Sequence, residues 1–173
     1  AIAAGNCIAL KSSEFAPATS AVIKEMITET FNPEYIILTE GNGADVIPEM
    51  MNNFIFDHVF FTGSTTVGKL IYQMAATNLV PVTLELGGKS PCIIEEDAII
   101  KVAAKRIALA KFSNNGQMCV APDYLLVHHS VKDALVHELK NVLKQFFGDD
   151  ASLSYNYGKM INEKQFDRVL NYM

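Results

Sequence analysis

Four short apolar runs, Cys7 to Leu10, Tyr35 to Leu38, His58 to Phe61 and Pro81 to Leu86, recur along the first half of the chain with helix-like stretches between them. No other feature constrains the fold as strongly. Short strands apolar on both faces, joined by helices, form a parallel sheet covered on both sides. Between the first two runs Ala18, Val22, Ile23, Met26 and Ile27 recur at helical spacing, with Ser12 or Ser13 placed as a cap and Asn32-Pro33 as a stop. Asp45 is placed to cap a shorter helix through Met51, and Thr62 to Thr66 opens a third helix carrying Val67, Leu70, Ile71 and Met74.

Beyond Gly87-Gly88 the pattern continues with a different character. Pro91 to Ile94 reads as a strand, and Asp97 caps a helix from about Ala98 to Phe112 whose apolar positions are Ile99, Val102, Ile107 and Leu109. Its alanines imply close packing. The polar stretch Ser113 to Gln117 ends it, Leu125 to Val127 is a further strand, and Val131 to Phe147 is an amphipathic helix. Gly87-Gly88 is the candidate boundary between a first domain, 1–86, and a second, 87–173.

Composition narrows the function classes. Half of the 173 residues are hydrophobic, enough for a real core, and the net charge of -5 comes with no basic stretch, which speaks against a nucleic-acid surface. Three cysteines, none closely spaced, argue against a disulfide framework or a zinc site and fit a reducing compartment, the cytoplasm. No apolar run reaches the ~20 residues that span a bilayer. The opening Ala1-Ile2-Ala3-Ala4-Gly5 is no signal peptide. The missing initiator Met and the abrupt end at Tyr172-Met173 read as an internal piece of a longer protein.

Two segments carry chemistry. In Val82 to Lys89 a carboxylate, Glu85, sits inside an apolar strand pattern, where burial without a partner is costly. In Asn115 to Cys119 a thiol sits in a polar, glycine-bearing loop, with Pro122 fixing the chain beyond. One account covers both: Cys119 as nucleophile and Glu85 as the base that activates water. The alternative for Glu85 is a pair with Lys89. Thr62 to Gly68 lies between a strand and a helix, where unpaired N–H groups receive a phosphate or simply start a well-capped helix. Lys11 and Glu14, at the carboxyl end of the first strand, are placed to bond a ribose, or are an exposed lysine and a glutamate near a helix start. Cys7 and Cys92 read as core. His58, His128, His129 and His137 form no ligand spacing with a cysteine, and His128-His129 point to opposite faces if the strand continues, so no metal site is expected. Asn114, Asn115 and Gln117 read as residues that order the loop.

Taken together, Gly5-Asn6 through Lys11-Ser12-Ser13-Glu14, Phe61-Thr62-Gly63-Ser64, Leu84 to Lys89 and Gly116 to Cys119, in this order and at these gaps, resemble the aldehyde dehydrogenase superfamily over essentially the whole chain. Pro81 to Cys92, Cys119 to Tyr124, Phe146-Phe147-Gly148 and Tyr157-Gly158 look most like its class 3 branch, which includes fatty and aromatic aldehyde dehydrogenases. The resemblance implies an α/β fold in which a Rossmann-like cofactor domain leads into a catalytic domain. It implies Cys119 as nucleophile, Glu85 as general base, Lys11 and Glu14 at the adenosine ribose, and Gly63, Ser64 and nearby Gly68 at the pyrophosphate, with Leu86 also lining the cofactor. Ser12 stands where the class 3 pattern usually has Pro, and Met118 where Thr is commoner.

The implied activity is oxidation of an aldehyde to a carboxylic acid with NAD or NADP, through a cysteine thioester. The thiol, the carboxylate and the cofactor should meet in one cleft between the two domains. Two alternatives remain: a coenzyme A-acylating enzyme, which generally lacks a base at the Glu85 position, and a non-catalytic cofactor-binding fragment. The family's oxyanion asparagine would lie upstream of Ala1, and the glutamate that grips the nicotinamide ribose beyond Met173. An isolated fragment is therefore expected to be inactive, and the full-length protein to be a homodimer or higher homo-oligomer.

Overall fold

The computed structural model describes residues 1–173. Six strands and six helices follow one another: β1 (Ile8–Lys11), α1 (Pro17–Thr30), β2 (Ile36–Thr39), α2 (Gly43–Asn53), β3 (Val59–Thr62), α3 (Thr65–Ala76), β4 (Val82–Glu85), β5 (Ser90–Ile94), α4 (Ile100–Phe112), β6 (Pro122–Val127), α5 (Lys132–Phe147) and α6 (Glu163–Leu170). The strands pair β1 with β2, β3 with β4 and β5 with β6. The β1–β2 and β5–β6 pairs are parallel. The α/β class expected from the alternation is therefore present, with the strands in three pairs.

The chain forms two compact units. The first comprises Ala1–Phe61 and Thr66–Leu84; the second comprises Thr62–Thr65 and Glu85–Met173. The second unit thus takes the short turn after β3 as well as everything from Glu85 onward.

In the first unit, α1 starts later than the serines suggest. Pro17 occupies its first turn, where a fixed φ and a missing N–H cost nothing. Ser13 instead accepts from the Phe15 N–H at 3.3 Å, and Ser12 shares a 2.6 Å hydroxyl bond with Ser20, the one buried polar residue. The Ser20 hydroxyl donates in turn to Glu40 at 3.2 Å, which Lys24 meets at 2.6 Å. The Lys24 hydrogen bond holds the Glu40 carboxyl below its ordinary range. This polar chain ties α1 to the end of β2, whereas the apolar stripe read from the sequence is largely exposed: Met26 retains 62% of its surface. Asn42, not Asp45, caps α2 by accepting from the Ala44 N–H at 3.1 Å. In α3 the buried face is Gly68, Ile71 and Ala75.

The core lies in the second unit. Ile94 of β5, Ala104, Ile107 and Ala108 of α4, and Leu135 and Val142 of α5 form one buried cluster. The alanines of α4 do allow close packing, and Ala104 and Ala108 are fully buried. The helix is rotated relative to the sequence expectation: Ile99, Val102 and Leu109 are exposed, and Ile100, Ala103 and Phe112 pack inward. Asp97 does not cap it, since the helix begins only at Ile100. In α5, Leu135, Leu139, Val142 and Phe146 recur at helical spacing against that cluster, as an amphipathic helix requires. Cys92 packs against the cluster too, but Cys7, just before β1, is exposed, contrary to its reading as core. Strand β6 stops at Val127, so His128 and His129 do not alternate across it; their rings lie side by side with centroids 4.3 Å apart, and His128 accepts from Ser130. Replacing Leu135, the largest fully buried side chain, by Ala should cost about 2–5 kcal/mol of unfolding free energy in chemical denaturation. A cost near zero would place the core elsewhere.

Candidate active site

The second unit gathers three of the sequence motifs. Gly63 and Ser64 form the link between β3 and α3. The Gly63 N–H donates to the Glu85 carbonyl at 3.0 Å, so this link is stitched to the end of β4. Such a turn presents first-turn amides suited to an anion. Gly68 does not lie in the turn but inside α3, buried on the face of Ile71 and Ala75. Glu85 is the last residue of β4 and is exposed, while Leu86 after it is half-buried. The apolar strand pattern pointed to a buried carboxylate; the strand ends at this residue, and its side chain reaches solvent. Glu85 does not pair with Lys89, which instead meets Asp123 at 3.1 Å.

Topology explains how Cys119 comes near the start of β5. Strands β5 and β6 are parallel, with α4 as the crossover, so both begin at the same edge. The turn leading from β4 into β5 and the loop leading from α4 into β6 therefore share that edge. At their contact, a Cβ on Gly88 would stand 2.6 Å from the Cys119 carbonyl oxygen, closer than real Cβ contacts allow. Gly88 is thus required by close approach. Ser90 Oγ donates to the same carbonyl at 3.4 Å. Lys89 and Asp123 flank it, and the strand register slips at Ser90/Pro91, where Pro122 and Tyr124 oppose them and Asp123 is skipped.

The loop before Cys119 is unusual in its backbone. Asn114, Asn115 and Gly116 all have positive φ, at 49°, 52° and 74°. Asparagine tolerates this region better than other side chains, but two in succession store about 1–2 kcal/mol each. Cys119 then occupies a turn closed by the Ala121 N–H donating to the Met118 carbonyl at 3.2 Å, and its thiol is exposed. An exposed thiol on a tightly held turn is accessible to a reactant. A surface hollow of about 1010 Å³ opens beside the loop, with Phe112, Gln117, Ile161 and Phe166 on its walls; neither Cys119 nor Glu85 lines it.

Lys11 and Glu14 belong to the first unit. Their side chains meet at 2.5 Å, and Glu14 also accepts from the Gly43 N–H at 3.4 Å. The hydrogen bond from Lys11 holds the Glu14 carboxyl below its usual range. Gly43, at the start of α2, packs close beside them: a Cβ there would lie 3.4 Å from Lys11 Nζ and 3.7 Å from Glu14 Oε1. A cation and a carboxylate side by side supply a donor and an acceptor, the pair that a vicinal diol needs. No group of three or more metal-ligating side chains occurs, and no helix is long and apolar enough to cross a membrane.

Sequence reasoning missed Gly88 as a close contact of Cys119, though a doubled glycine directly after the strand bearing Glu85 was its signal. Asn114 and Gln117 order the loop through side-chain bonds to backbone, as expected. The reach of Gln117 to the 157–161 segment had no signal in the sequence.

Comparison with known proteins agrees with this architecture. The family model for the aldehyde dehydrogenase family matches residues 1–173. The chain is 51% identical to 4,4'-diaponeurosporen-aldehyde dehydrogenase of Staphylococcus aureus, over 98% of this chain and 36% of that protein. It is 44% identical to the mouse aldehyde dehydrogenase named dimeric NADP-preferring, over 99% of this chain and 37% of the relative. A Dictyostelium discoideum protein named as a family 3 aldehyde dehydrogenase is 43% identical, in keeping with the class 3 resemblance. A solved structure of the substrate-bound Staphylococcus aureus AldH superposes with a TM-score of 0.87 at 50% identity, covering 99% of this chain and 37% of that one. The chain thus spans little more than a third of these relatives' length, and over that span both sequence and architecture agree: it belongs to the aldehyde dehydrogenase family.

Proposed function

We propose that the protein oxidises an aldehyde to a carboxylic acid with NAD or NADP, using Cys119 as nucleophile and Glu85 as general base. What supports this reading is that the Gly63 turn bonds the Glu85 carbonyl and that Gly88, three residues after Glu85, packs against the Cys119 turn. Lys11 and Glu14 are the proposed ribose partners, and Gly63, Ser64, Gly68 and Leu86 the proposed pyrophosphate and cofactor contacts. The Lys11–Glu14 donor and acceptor beside the bare Gly43 fit a ribose diol, and the α3 N-terminus after Ser64 fits a pyrophosphate. When bound, the dinucleotide supplies the hydride acceptor.

The chain's own residues do the rest. Cys119 Sγ, as thiolate, adds to the aldehyde carbon, and the carbonyl π pair moves to oxygen. The Cys119 N–H is the proposed donor to that oxyanion. After oxidation the acyl group is a thioester on Sγ. Glu85 takes a proton from water as the water oxygen bonds the acyl carbon, and the C–S bond breaks to return the thiolate and free the acid. The boundary at Gly87, with 1–86 as the cofactor domain and 87–173 as the start of the catalytic one, is part of the same proposal.

In the full-length protein Cys119→Ala should abolish aldehyde oxidation. Glu85→Gln should leave a burst of reduced dinucleotide while steady-state turnover falls about 10²–10⁴-fold. Full turnover in either variant defeats the assignment. Gly88→Ala should lower kcat about 10²-fold, because its Cβ must push the Cys119 carbonyl aside. Gly87→Ala is the matched control: a Cβ there meets nothing within 4 Å. Equal activity in the two alanine variants would show that the close approach does not position the thiol. A homodimer in the cytoplasm is proposed as its working state. The printed name of the mouse relative supports the dimer, and three unpaired cysteines support a reducing compartment. Light scattering on the purified full-length protein and fractionation of its host cells should find a dimer in the cytosolic fraction; a monomer or a membrane-bound pool contradicts this.

A further inference from the structure

The segment Tyr157 to Ile161 is far from Cys119 in sequence, yet it is bonded to the loop that carries it. Gln117 Nε2 donates to the Lys159 carbonyl at 3.0 Å and to the Asn114 carbonyl at 2.9 Å, and Gln117 Oε1 accepts from the Ile161 N–H at 3.0 Å. One amide therefore bonds a carbonyl and an N–H two residues apart, as the backbone of a neighbouring strand would. The same amide closes the left-handed turn at Asn114 and Asn115.

The segment that receives it is itself fixed. The Tyr157 ring packs edge-on against Phe147 at 5.1 Å, and Phe147 against Phe112 at 6.1 Å. Phe112 ends α4 and directly precedes the loop. Lys159 Nζ donates to the Ser152 carbonyl at 2.8 Å. At Gly158 a Cβ would lie 3.4 Å from the Asn115 amide nitrogen, so the two backbones are in contact. The loop is thus bracketed by its own helix end and by the 157–161 segment, and the Gln117 side chain bonds both the loop backbone at Asn114 and that segment.

We propose that Gln117 is a positioning residue for the nucleophile: its amide couples the strained Asn114–Gly116 turn to the 157–161 segment and so sets the placement of Cys119 two residues later. This rests on the reading of Cys119 as the nucleophile. The neighbouring Gly88 contact fixes the Cys119 carbonyl, downstream of its thiol; the glutamine fixes the chain upstream of it.

The test uses full-length Gln117→Met and Gln117→Glu. Methionine keeps the volume and removes all three bonds. Glutamate keeps an acceptor for the Ile161 N–H but loses both donors and sets a carboxylate oxygen against two carbonyls. Three quantities are read per folded molecule, with the folded fraction taken from circular dichroism: kcat, KM for the dinucleotide, and the rate of Cys119 alkylation by iodoacetamide, followed by mass spectrometry with the exposed Cys7 as internal reference. The expected result is a fall in kcat of about 10- to 10²-fold, an unchanged dinucleotide KM, and an altered Cys119 alkylation rate with Cys7 unaffected. Wild-type kcat and wild-type Cys119 alkylation per folded molecule would overturn the proposal, as would failure of both variants to fold, which would make Gln117 a structural bracket only. If Cys119→Ala retains turnover, the nucleophile reading fails instead, and the two failures are thereby told apart.

Discussion

A position with no room for a side chain joins two segments of the second unit's proposed site. Between the would-be Cβ of Gly88 and the Cys119 carbonyl oxygen there are 2.6 Å, which nothing but glycine accommodates without movement. The φ of Gly88 is not in the left-handed region, so packing alone requires the glycine. From this contact the neighbouring interactions follow in sequence order. Lys89 reaches Asp123, Ser90 Oγ reaches the Cys119 carbonyl, and Pro91 begins the regular pairing of β5 with β6. Each residue from 88 to 91 therefore has a partner between Cys119 and Tyr124. The separation of Gly88 and Cys119 along the chain is closed by ordinary βαβ geometry, because a parallel pair with a helical crossover brings the beginnings of both strands to one edge.

The two approaches to that edge are stiffened differently. On the β4 side the backbone is extended and hydrogen-bonded, ending with the Glu85 carbonyl on the Gly63 N–H. On the Cys119 side three consecutive residues occupy a conformation that L-amino acids avoid, and side-chain bonds compensate. The strain is local and small compared with the core beneath it, where Ala104, Ala108 and Leu135 are almost wholly buried. A rigid helix end followed by an over-determined turn is what a nucleophile needs if its attack geometry is to hold to fractions of an ångström.

Much of this was legible in the sequence, and the parts that were not share a cause. Five of the six strands were found to within a residue, because short apolar runs between glycine and proline punctuation have few other readings; β4 as Val82–Glu85 lies inside the run Pro81 to Leu86, whereas β6 starts at Pro122, three residues before the expected Leu125. The polar loop before Cys119 was visible as a break after Phe112. Helix starts were misplaced wherever two capping side chains competed. Asp45 and Asn42 both lie near the start of α2, and only the contact geometry favours Asn42. The last helix, α6, was not foreseen: it is short and polar, and its signal is the pair Asn162 and Gln165, where the asparagine accepts from the Gln165 N–H at 2.9 Å. Burial was the least legible property. Glu85 in an apolar run reads as inward-facing, yet a residue that ends its strand is freed from the alternation that would bury it.

The two units differ in what holds them, and the difference matches the work assigned to each. In the first, the residues proposed to meet the ribose are fixed by ion pairs and hydrogen bonds, Lys11 to Glu14 and Glu14 to the Gly43 N–H, over a modest buried apolar set of Ile71 and Ala75. Ion pairs of this kind, partly open to solvent, are worth little to stability. They nonetheless leave a donor and an acceptor available to exchange partners with a diol. In the second unit a contiguous apolar cluster includes Phe112, just before the loop that ends in Cys119, and the contacts around that loop involve the backbone: a carbonyl against a glycine and an amide side chain bonded to two backbone segments. Exchangeable polar pairs suit the proposed cofactor, which must bind and leave; steric and backbone-level restraint suits the proposed nucleophile, whose bond must form along one direction.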